Sequence, residues 1–282
     1  MMKTINLAYP NDFINRVLVG NCLDVLSGIP DDTIDLTVTS PPYDWIRDYK
    51  GYKLDLIEIG KQLFRITKDG GVVVFVMQDA TADFAKTGTT FRMIVEYMDM
   101  GFRLFEMIIF QKHGTPGAWW NKRFRVDHEY MPVFFKGDKL RHFDKTSLML
   151  PANYYNKVAP RLGTVRKTNG ELRKREPFSV GEMKCRGTIW DYTSVQPNRE
   201  GNSIKTKHPA TFSDQIPADF ISCFTQENDI VLDPMCGSGT TLVAAENMNR
   251  RFIGIDISPE YADLARERLK LESKPMLRLF GG

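Results

Sequence analysis

Little in this sequence would staple a secreted fold or anchor a chain in a bilayer. Its 282 residues include four cysteines, at positions 22, 185, 223 and 236; none form a C-x-x-C pair, and the four histidines do not cluster with them. That excludes a disulfide framework and a structural zinc site as the source of stability, and no metal is expected. No apolar run approaches the ~18 residues of a membrane span. The stretch from Met1 to Pro10 has no signal-peptide pattern, so a reducing cytoplasm is expected. There is no internal repeat, no low-complexity tract and no G-K-[ST] of a Walker phosphate loop. What is present is an ordinary globular composition, 42% hydrophobic and 26% charged. A chain of this size buries roughly 75% of its unfolded surface and needs no covalent staples.

The net charge of +3 is unevenly spread. Residues 136 to 207 hold 16 Lys and Arg against 7 Asp and Glu, whereas the rest of the chain holds 22 against 28. A basic middle between mildly acidic flanks points to a polyanion surface set on a scaffold of another kind; a solvated basic loop is the plainer alternative.

Hydrophobic patterning gives the scaffold. Ile34 to Thr39 reads as a buried strand, and Leu54 to Ile66 carries apolar residues at helical spacing. Asp69-Gly70-Gly71 predicts a turn before a strand from Val72 to Met77, and Phe91 to Met100 predicts a helix stopping at Gly101. These are βαβ units, so the fold class is α/β with a mostly parallel sheet covered on both faces. Leu104 to Phe110 and Tyr130 to Phe135 are strand-like, and the segment between them, Lys112 to Arg125, reads as a long exposed loop containing Trp119 and Trp120. Periodicity is lost from about Leu140 to Gly201, a basic stretch dotted with Gly, Pro and Asn that predicts an inserted subdomain. Regular structure resumes with a helix from Ser213 to Phe224, a strand at Ile230 to Asp233, a helix from Thr240 to Asn249 and a strand at Phe252 to Ile257. Ser258-Pro259-Glu260 then reads as the N-cap, first-turn proline and early acid of a last helix running to about Leu271.

Two constellations carry chemistry. Asp233-Pro234-Met235-Cys236-Gly237-Ser238-Gly239-Thr240-Thr241 closes a strand and opens a helix, where glycines let the backbone turn tightly against a ligand at a helix N-terminus. It lacks the third glycine of the usual dinucleotide fingerprint, but Asp256 ends the next strand 23 residues after Asp233, a place suited to binding ribose hydroxyls. A nucleoside-type cofactor is expected. The second constellation is Thr39-Ser40-Pro41-Pro42-Tyr43, again at the end of a buried strand. Two prolines stiffen the backbone and donate no hydrogen bonds, leaving carbonyls free to face a cleft. Ser40 offers an adjustable acceptor and Tyr43 a flat stacking face. Such a site suits an aromatic amino group, whose lone pair becomes available when its protons are held by acceptors.

Together these motifs resemble those of the amino-group DNA methyltransferases that use S-adenosylmethionine. Ser40-Pro41-Pro42-Tyr43 is similar to the family's catalytic motif and Asp233 to Thr241 to its cofactor motif. Asn21-Cys22-Leu23-Asp24 leading into Ile34 to Tyr43 resembles its entry to the catalytic strand; His128-Glu129-Tyr130 before Phe134-Phe135-Lys136 resembles a later strand motif. His208-Pro209-Ala210-Thr211-Phe212 followed by Ile216-Pro217 resembles the segment that starts the cofactor half. The motif order, catalytic before cofactor, is that of the β group. One departure is Gly20-Asn21, where the family often reads Gly-Asp, which puts a carboxylate role at position 21 in doubt.

The resemblance implies a Rossmann-like, seven-stranded sheet divided into a catalytic half (1–139), a target-recognition insert (140–201) and a cofactor half (202–282). It implies that Ser40, Pro41, Pro42 and Tyr43 hold the target base. Asp233 and Gly237 would line the methionine part of the cofactor and Asp256 would bind the ribose; Pro234, Cys236, Ser238, Gly239, Thr240 and Ile257 are further cofactor-binding candidates, as are Phe212 and Asp24. Arg161, Arg166, Arg173, Arg175 and Arg186 are candidates for DNA contacts in the insert, and Trp45, Trp119 and Trp120 for stacking or for filling the gap left by a flipped base. Double-stranded DNA is the expected partner, in a cytoplasmic, nucleoid-associated setting. A cognate restriction endonuclease is a further candidate partner, and monomer and homodimer both stay open.

The implied reaction is in-line methyl transfer from a sulfonium to an exocyclic amine, which needs positioning and hydrogen bonds rather than a covalent nucleophile. The base must leave the duplex, at a cost of a few kcal/mol. Methylation of cytosine carbon 5 would require a thiolate, and all four cysteines read as structural. Within the family, Ser at the first motif position leans toward cytosine N4 and Asp toward adenine N6; adenine N6 is the alternative here. An RNA or protein methyltransferase and a catalytically silent DNA-binding module are the competing classes.

Overall fold

The computed structural model describes residues 7–42, 54–112, 124, 126–152, 158–159, 164–174, 178–179, 181–192 and 213–273. It forms a large unit, residues 1–144 with 188–282, and a small one, residues 145–187.

In the large unit eight strands make one sheet: β1 (Arg16–Val19), β2 (Ile34–Thr39), β3 (Thr67–Phe75), β4 (Arg103–Gln111), β5 (His128–Phe135), β6 (Ile189–Asp191), β7 (Ile230–Asp233) and β8 (Arg251–Asp256). Their spatial order is β1-β8-β7-β2-β3-β5-β4-β6. Only β5 is reversed, antiparallel to β3 and β4; every other pairing is parallel. The helices are α1 (Cys22–Leu26), α2 (Leu56–Ile66), α3 (Thr89–Asp99), α4 (Gln215–Phe224), α5 (Thr240–Asn247) and α6 (Pro259–Glu272).

The sheet thus has eight strands where seven were expected. The extra one, β6, pairs with β4 through Ile189↔Ile109 and Trp190↔Phe110, although its residues fell within the predicted insert. Trp190 is buried and stacks on Phe220 at 5.0 Å, and Tyr192 donates its hydroxyl to Asp219 at 2.8 Å. These long-range contacts, not a three-residue pattern, make the strand. Asp69-Gly70-Gly71 also differs from expectation: it lies inside β3 as an irregularity in the pairing with β2. Gly70 takes φ +75° and donates to Lys136 O at 2.8 Å, so its freedom is spent on a bulge rather than on a chain reversal.

β2 and β7 are buried along their whole length, as parallel strands covered on both faces must be. From this central pair the chain winds outward both ways, β2 to β3 through α2 and β7 to β8 through α5. That makes the crevice beyond the carboxyl ends of β2 and β7 the topological switch point, where open α/β sheets place their ligands. The opposite end is closed by Asp35, which is buried and accepts from Ile230 N at 2.9 Å and from the Lys68 ammonium at 2.7 Å.

The small unit is built on its own pairings. Leu150–Pro151 pairs antiparallel with Met183–Lys184, Val158–Ala159 with Phe178–Ser179, and Thr164–Arg166 with Leu172–Lys174, as three separate two-stranded sheets. None of its described side chains is buried.

Candidate active site

β2 and β7 run parallel and in register, Leu36 beside Val231 and Thr37 beside Leu232. Their carboxyl ends therefore meet at one edge of the sheet. There Thr39 Oγ1 donates to Asp233 Oδ1 at 2.8 Å, joining residues 194 apart in sequence. The Thr39 carbonyl accepts from Val76 N at 2.8 Å, which fixes the peptide leading into Ser40. Ser40 and Pro42 are half-buried and Pro41 is buried; Tyr43 and Trp45 lie outside the described residues.

Asp233 is buried to 1% exposure. Besides Thr39 it accepts from Met235 N at 3.2 Å, and Thr241 also bonds to it. Burial pushes its carboxyl up to about 6; the bonds from Thr39, Thr241 and Met235 oppose the rise, and neighbouring Asp256 adds to it.

The glycine-rich turn follows. Cys236 N donates to Ile255 O at 2.8 Å, Gly237 N to Asp256 Oδ2 at 2.9 Å, and Gly239 N to Cys236 O at 2.7 Å. Gly237 (φ +49°) and Gly239 (φ +79°) both sit in the left-handed region that favours glycine. A Cβ on Gly239 would also lie 2.9 Å from Ala265 Cβ on α6. The turn hands over to α5, and Pro234, Cys236, Ser238 and Thr240 are all buried in it.

Asp256 closes β8 beside the turn. Its two oxygens accept one backbone N–H each, from Gly237 at 2.9 Å and from Ser258 at 2.8 Å. A carboxylate has about four acceptor positions, so two stay open. Burial raises its pKa, against those two bonds. Gly20 N donates to Asp256 O at 2.9 Å, which brings the start of α1 to the same edge. Asp24, half-buried, lies in the first turn of α1, and Ile257 is half-buried after β8. Asn21 Oδ1 caps α1 by accepting from Leu23 N at 2.9 Å, a task an aspartate could share and a reason for a polar side chain there.

The structure therefore brings together Ser40 to Pro42, Asp233 to Thr241 and Asp256 at one end of the sheet. Phe212, Trp119, Trp120, Arg161 and Arg175 lie outside the described residues. Arg166 and Arg173 are exposed and Arg186 is half-buried in the small unit. Burial pushes the Cys22 thiol up to about 11 and that of Cys236 well above its usual range, so neither offers a thiolate near neutral pH. Among the described residues no cluster of three His, Cys, Asp or Glu side chains could hold a metal.

Sequence reasoning missed Arg268. It is the one basic side chain among the described residues that is buried, and it bonds Ser238 and Thr240 of the turn. Its signal was its place on α6, four residues after Leu264 and three after Ala265, both buried.

A family model described as DNA methylase, covering N6 and N4 enzymes, matches residues 34–267. The chain is 39% identical over 246 residues to the orphan methyltransferase M.BamHII of Bacillus amyloliquefaciens, covering 86% of this chain and 91% of that protein. It is 28% identical to the type II methyltransferase M.BglII of Bacillus subtilis, covering 94% and 71%. The structure of a DNA modification methylase of Thermus thermophilus complexed with S-adenosyl-L-methionine superposes with a TM-score of 0.61 at 25% identity, covering 92% and 96%. The cytosine-N4-specific PvuII DNA methyltransferase shares the fold, with a TM-score of 0.66 at 22% identity, covering 89% and 85%.

Proposed function

The chain belongs to the N6/N4 DNA methylase family, and from that premise we propose that it moves a methyl group from S-adenosylmethionine to cytosine N4 of a base flipped from duplex DNA, in the crevice at the carboxyl ends of β2 and β7. The observation that carries this reading is the Thr39–Asp233 hydrogen bond at 2.8 Å. It sets the strand that presents Ser40, Pro41 and Pro42 directly beside the strand that opens the glycine-rich turn, so donor and acceptor can share one cleft.

The residues fit the cofactor. The left-handed φ of Gly237 and Gly239 gives the tight turn that a ligand at a helix N-terminus needs, and Asp256 keeps acceptor capacity for ribose hydroxyls beyond its two backbone bonds. Asp233 contributes a buried negative charge near the methionine part, with Gly237 and the neighbouring Pro234, Cys236, Ser238 and Thr240 shaping the turn; Ile257, Phe212 and Asp24 are the remaining contacts. When bound, S-adenosylmethionine supplies a methyl group on a good leaving group, so the protein needs no nucleophile of its own. Ser40 and the Pro41 carbonyl accept hydrogen bonds from the exocyclic amine and favour a nitrogen with an available lone pair; once that lone pair has taken the methyl group, the methylated nitrogen gives up its extra proton to solvent. Tyr43 stacks on the flipped base, which at roughly 1–3 kcal/mol offsets part of the extrusion cost. The high thiol pKa values of Cys22 and Cys236 argue against attack on carbon 5.

Ser40, rather than an aspartate, at the first position supports cytosine over adenine. The three-part division into catalytic half, recognition region and cofactor half belongs to the same proposal, as do DNA contacts by Arg161, Arg166, Arg173, Arg175 and Arg186 and stacking by Trp119 and Trp120. The relatives named as type II methyltransferases support a role in restriction–modification, beside an endonuclease reading the same site.

Mass spectrometry of deoxynucleosides from a methylation-free host expressing the chain tests the reading. N4-methylcytosine is expected. N6-methyladenine would replace the base assignment while keeping the mechanism. Unmodified DNA together with labelled methyl in RNA or protein would overturn the substrate, and no transfer alongside retained duplex binding would reduce the chain to a binding module.

A further inference from the structure

Two left-handed glycines make the cofactor turn costly to order, because glycine loses more freedom on folding than any other residue. Something must hold it, and the holder comes from α6. Arg268, at 0% exposure, directs Nη1 at Ser238 O (3.0 Å), Ser238 Oγ (3.2 Å) and Thr240 Oγ1 (3.1 Å). Its other edge reaches Glu272 Oε1 and Oε2 at 3.2 and 3.0 Å and Asp214 Oδ1 at 3.4 Å. One rigid planar fork thus ties the turn, the start of α4 and the last turn of α6. Asp214, at the N-cap position of α4, makes no side-chain cap bond to its own helix; its carboxylate faces Arg268 instead.

We propose that Arg268 is a positioning residue for the cofactor site: by holding the Ser238 carbonyl and the Thr240 hydroxyl it pre-forms the turn that receives S-adenosylmethionine. In a trans peptide the carbonyl and the following N–H point opposite ways. Drawing the Ser238 carbonyl toward the guanidinium therefore sends Gly239 N–H the other way, onto Cys236 O at 2.7 Å. Asp256 holds the other side of the same turn through Gly237 N. With the turn fixed before binding, its ordering cost is absent from the cofactor affinity. A guanidinium fits this task better than an ammonium, because only a planar fork can serve three acceptors on one edge and two carboxylates on the other.

The inference rests on the cofactor reading above, and its test separates the two. Calorimetry measures cofactor affinity of the full chain, alongside turnover at saturating cofactor and duplex affinity. Arg268→Met is expected to weaken cofactor binding about tenfold or more, as loss of preorganisation does, with turnover at saturation and duplex affinity close to wild type; Arg268→Lys should fall between the two. Equal cofactor affinity in wild type and both variants, with only a lower melting temperature, would overturn the role and leave a merely structural arginine. Should Arg268→Met not fold, the double variant Asp214→Asn with Glu272→Gln removes the tethers without touching the turn: a several-fold weaker cofactor Kd supports the role, and an unchanged one overturns it. Wild-type protein that takes up no cofactor would overturn the cofactor reading itself.

Discussion

Thr39 and Asp233 show how much one side-chain pair decides. Asp233 carries a carboxyl pushed up to about 6 by burial, against about 3.8 unfolded. A carboxyl that binds its proton more tightly when folded stabilises the protein below the unfolded value and loses that contribution as pH rises from about 4 to about 6. Cofactor binding works in the opposite sense. S-adenosylmethionine is cationic, and if it binds beside Asp233 as proposed, its charge favours the ionised form, so the affinity is expected to fall as pH drops through about 6. Calorimetry at pH 5 and pH 7.5 checks this: Kd should be several-fold weaker at the lower pH, and Asp233→Asn should flatten the profile. A pH-independent Kd in the wild type would remove Asp233 from the cofactor's electrostatics. That these residues close buried strands was readable in the sequence, because motifs at strand ends are local. Their protonation was not, since it depends on what buries them and on a partner 194 positions away.

At the scale of elements, the alternation of apolar strands with amphipathic helices was legible in β2 to β5, β7 and β8, whose runs are either long enough to show a period or, like β7, wholly apolar up to a motif at the strand end. α6 kept its predicted start: Ser258 caps it, accepting from Tyr261 N at 3.5 Å, with Pro259 in the first turn. The short β1 and β6 were not legible: neither is a buried apolar run, with one buried residue each, and both are made by pairing to neighbours. Asp69-Gly70-Gly71 was misread because a left-handed glycine serves a bulge as well as a turn. The glycine-rich turn and α5 were foreseen, but the approach of α6 to them was not. That approach gives a sharp expectation. Gly239→Ala must accept φ +79° and a Cβ 2.9 Å from Ala265, at a cost of about 1–3 kcal/mol. It should lower the denaturant midpoint and weaken cofactor binding. A variant with wild-type midpoint and affinity would mean that the turn relaxes freely and that its closeness to α6 is irrelevant.

For the molecule as a whole, the sequence separated a basic region from an α/β scaffold, and the structure gives residues 145–187 a form of their own. Short strand pairs with no buried side chain among the described residues gain little from their own packing, which suits a surface made for a partner. The pairing sorts the charges. Arg166 lies opposite Leu172 and Thr164 opposite Lys174, while Arg173 lies opposite Val165; side chains alternate along strands, so Arg166 and Lys174 share one face and Arg173 takes the other. Neutralising Arg166 and Lys174 together to Gln is expected to weaken duplex binding and to flatten its salt dependence by about 0.9 for each phosphate no longer neutralised, with cofactor affinity unchanged and Arg173→Gln weaker in effect. Titrations at several salt concentrations decide this, and equal slopes for wild type and the paired variant would show that this face does not meet the backbone of DNA. The sequence by itself determined the chemistry: a proline-stiffened turn and a glycine-rich one, each after a buried strand, are local demands on φ and on hydrogen-bonding groups, readable from a few residues. Only the tertiary structure decided that the strands leading into them end side by side, through a strand order that sets β7 against β2, and that an arginine from the last helix holds the glycine-rich turn. Strand order and burial are settled by contacts between residues far apart in the chain, which no local pattern encodes.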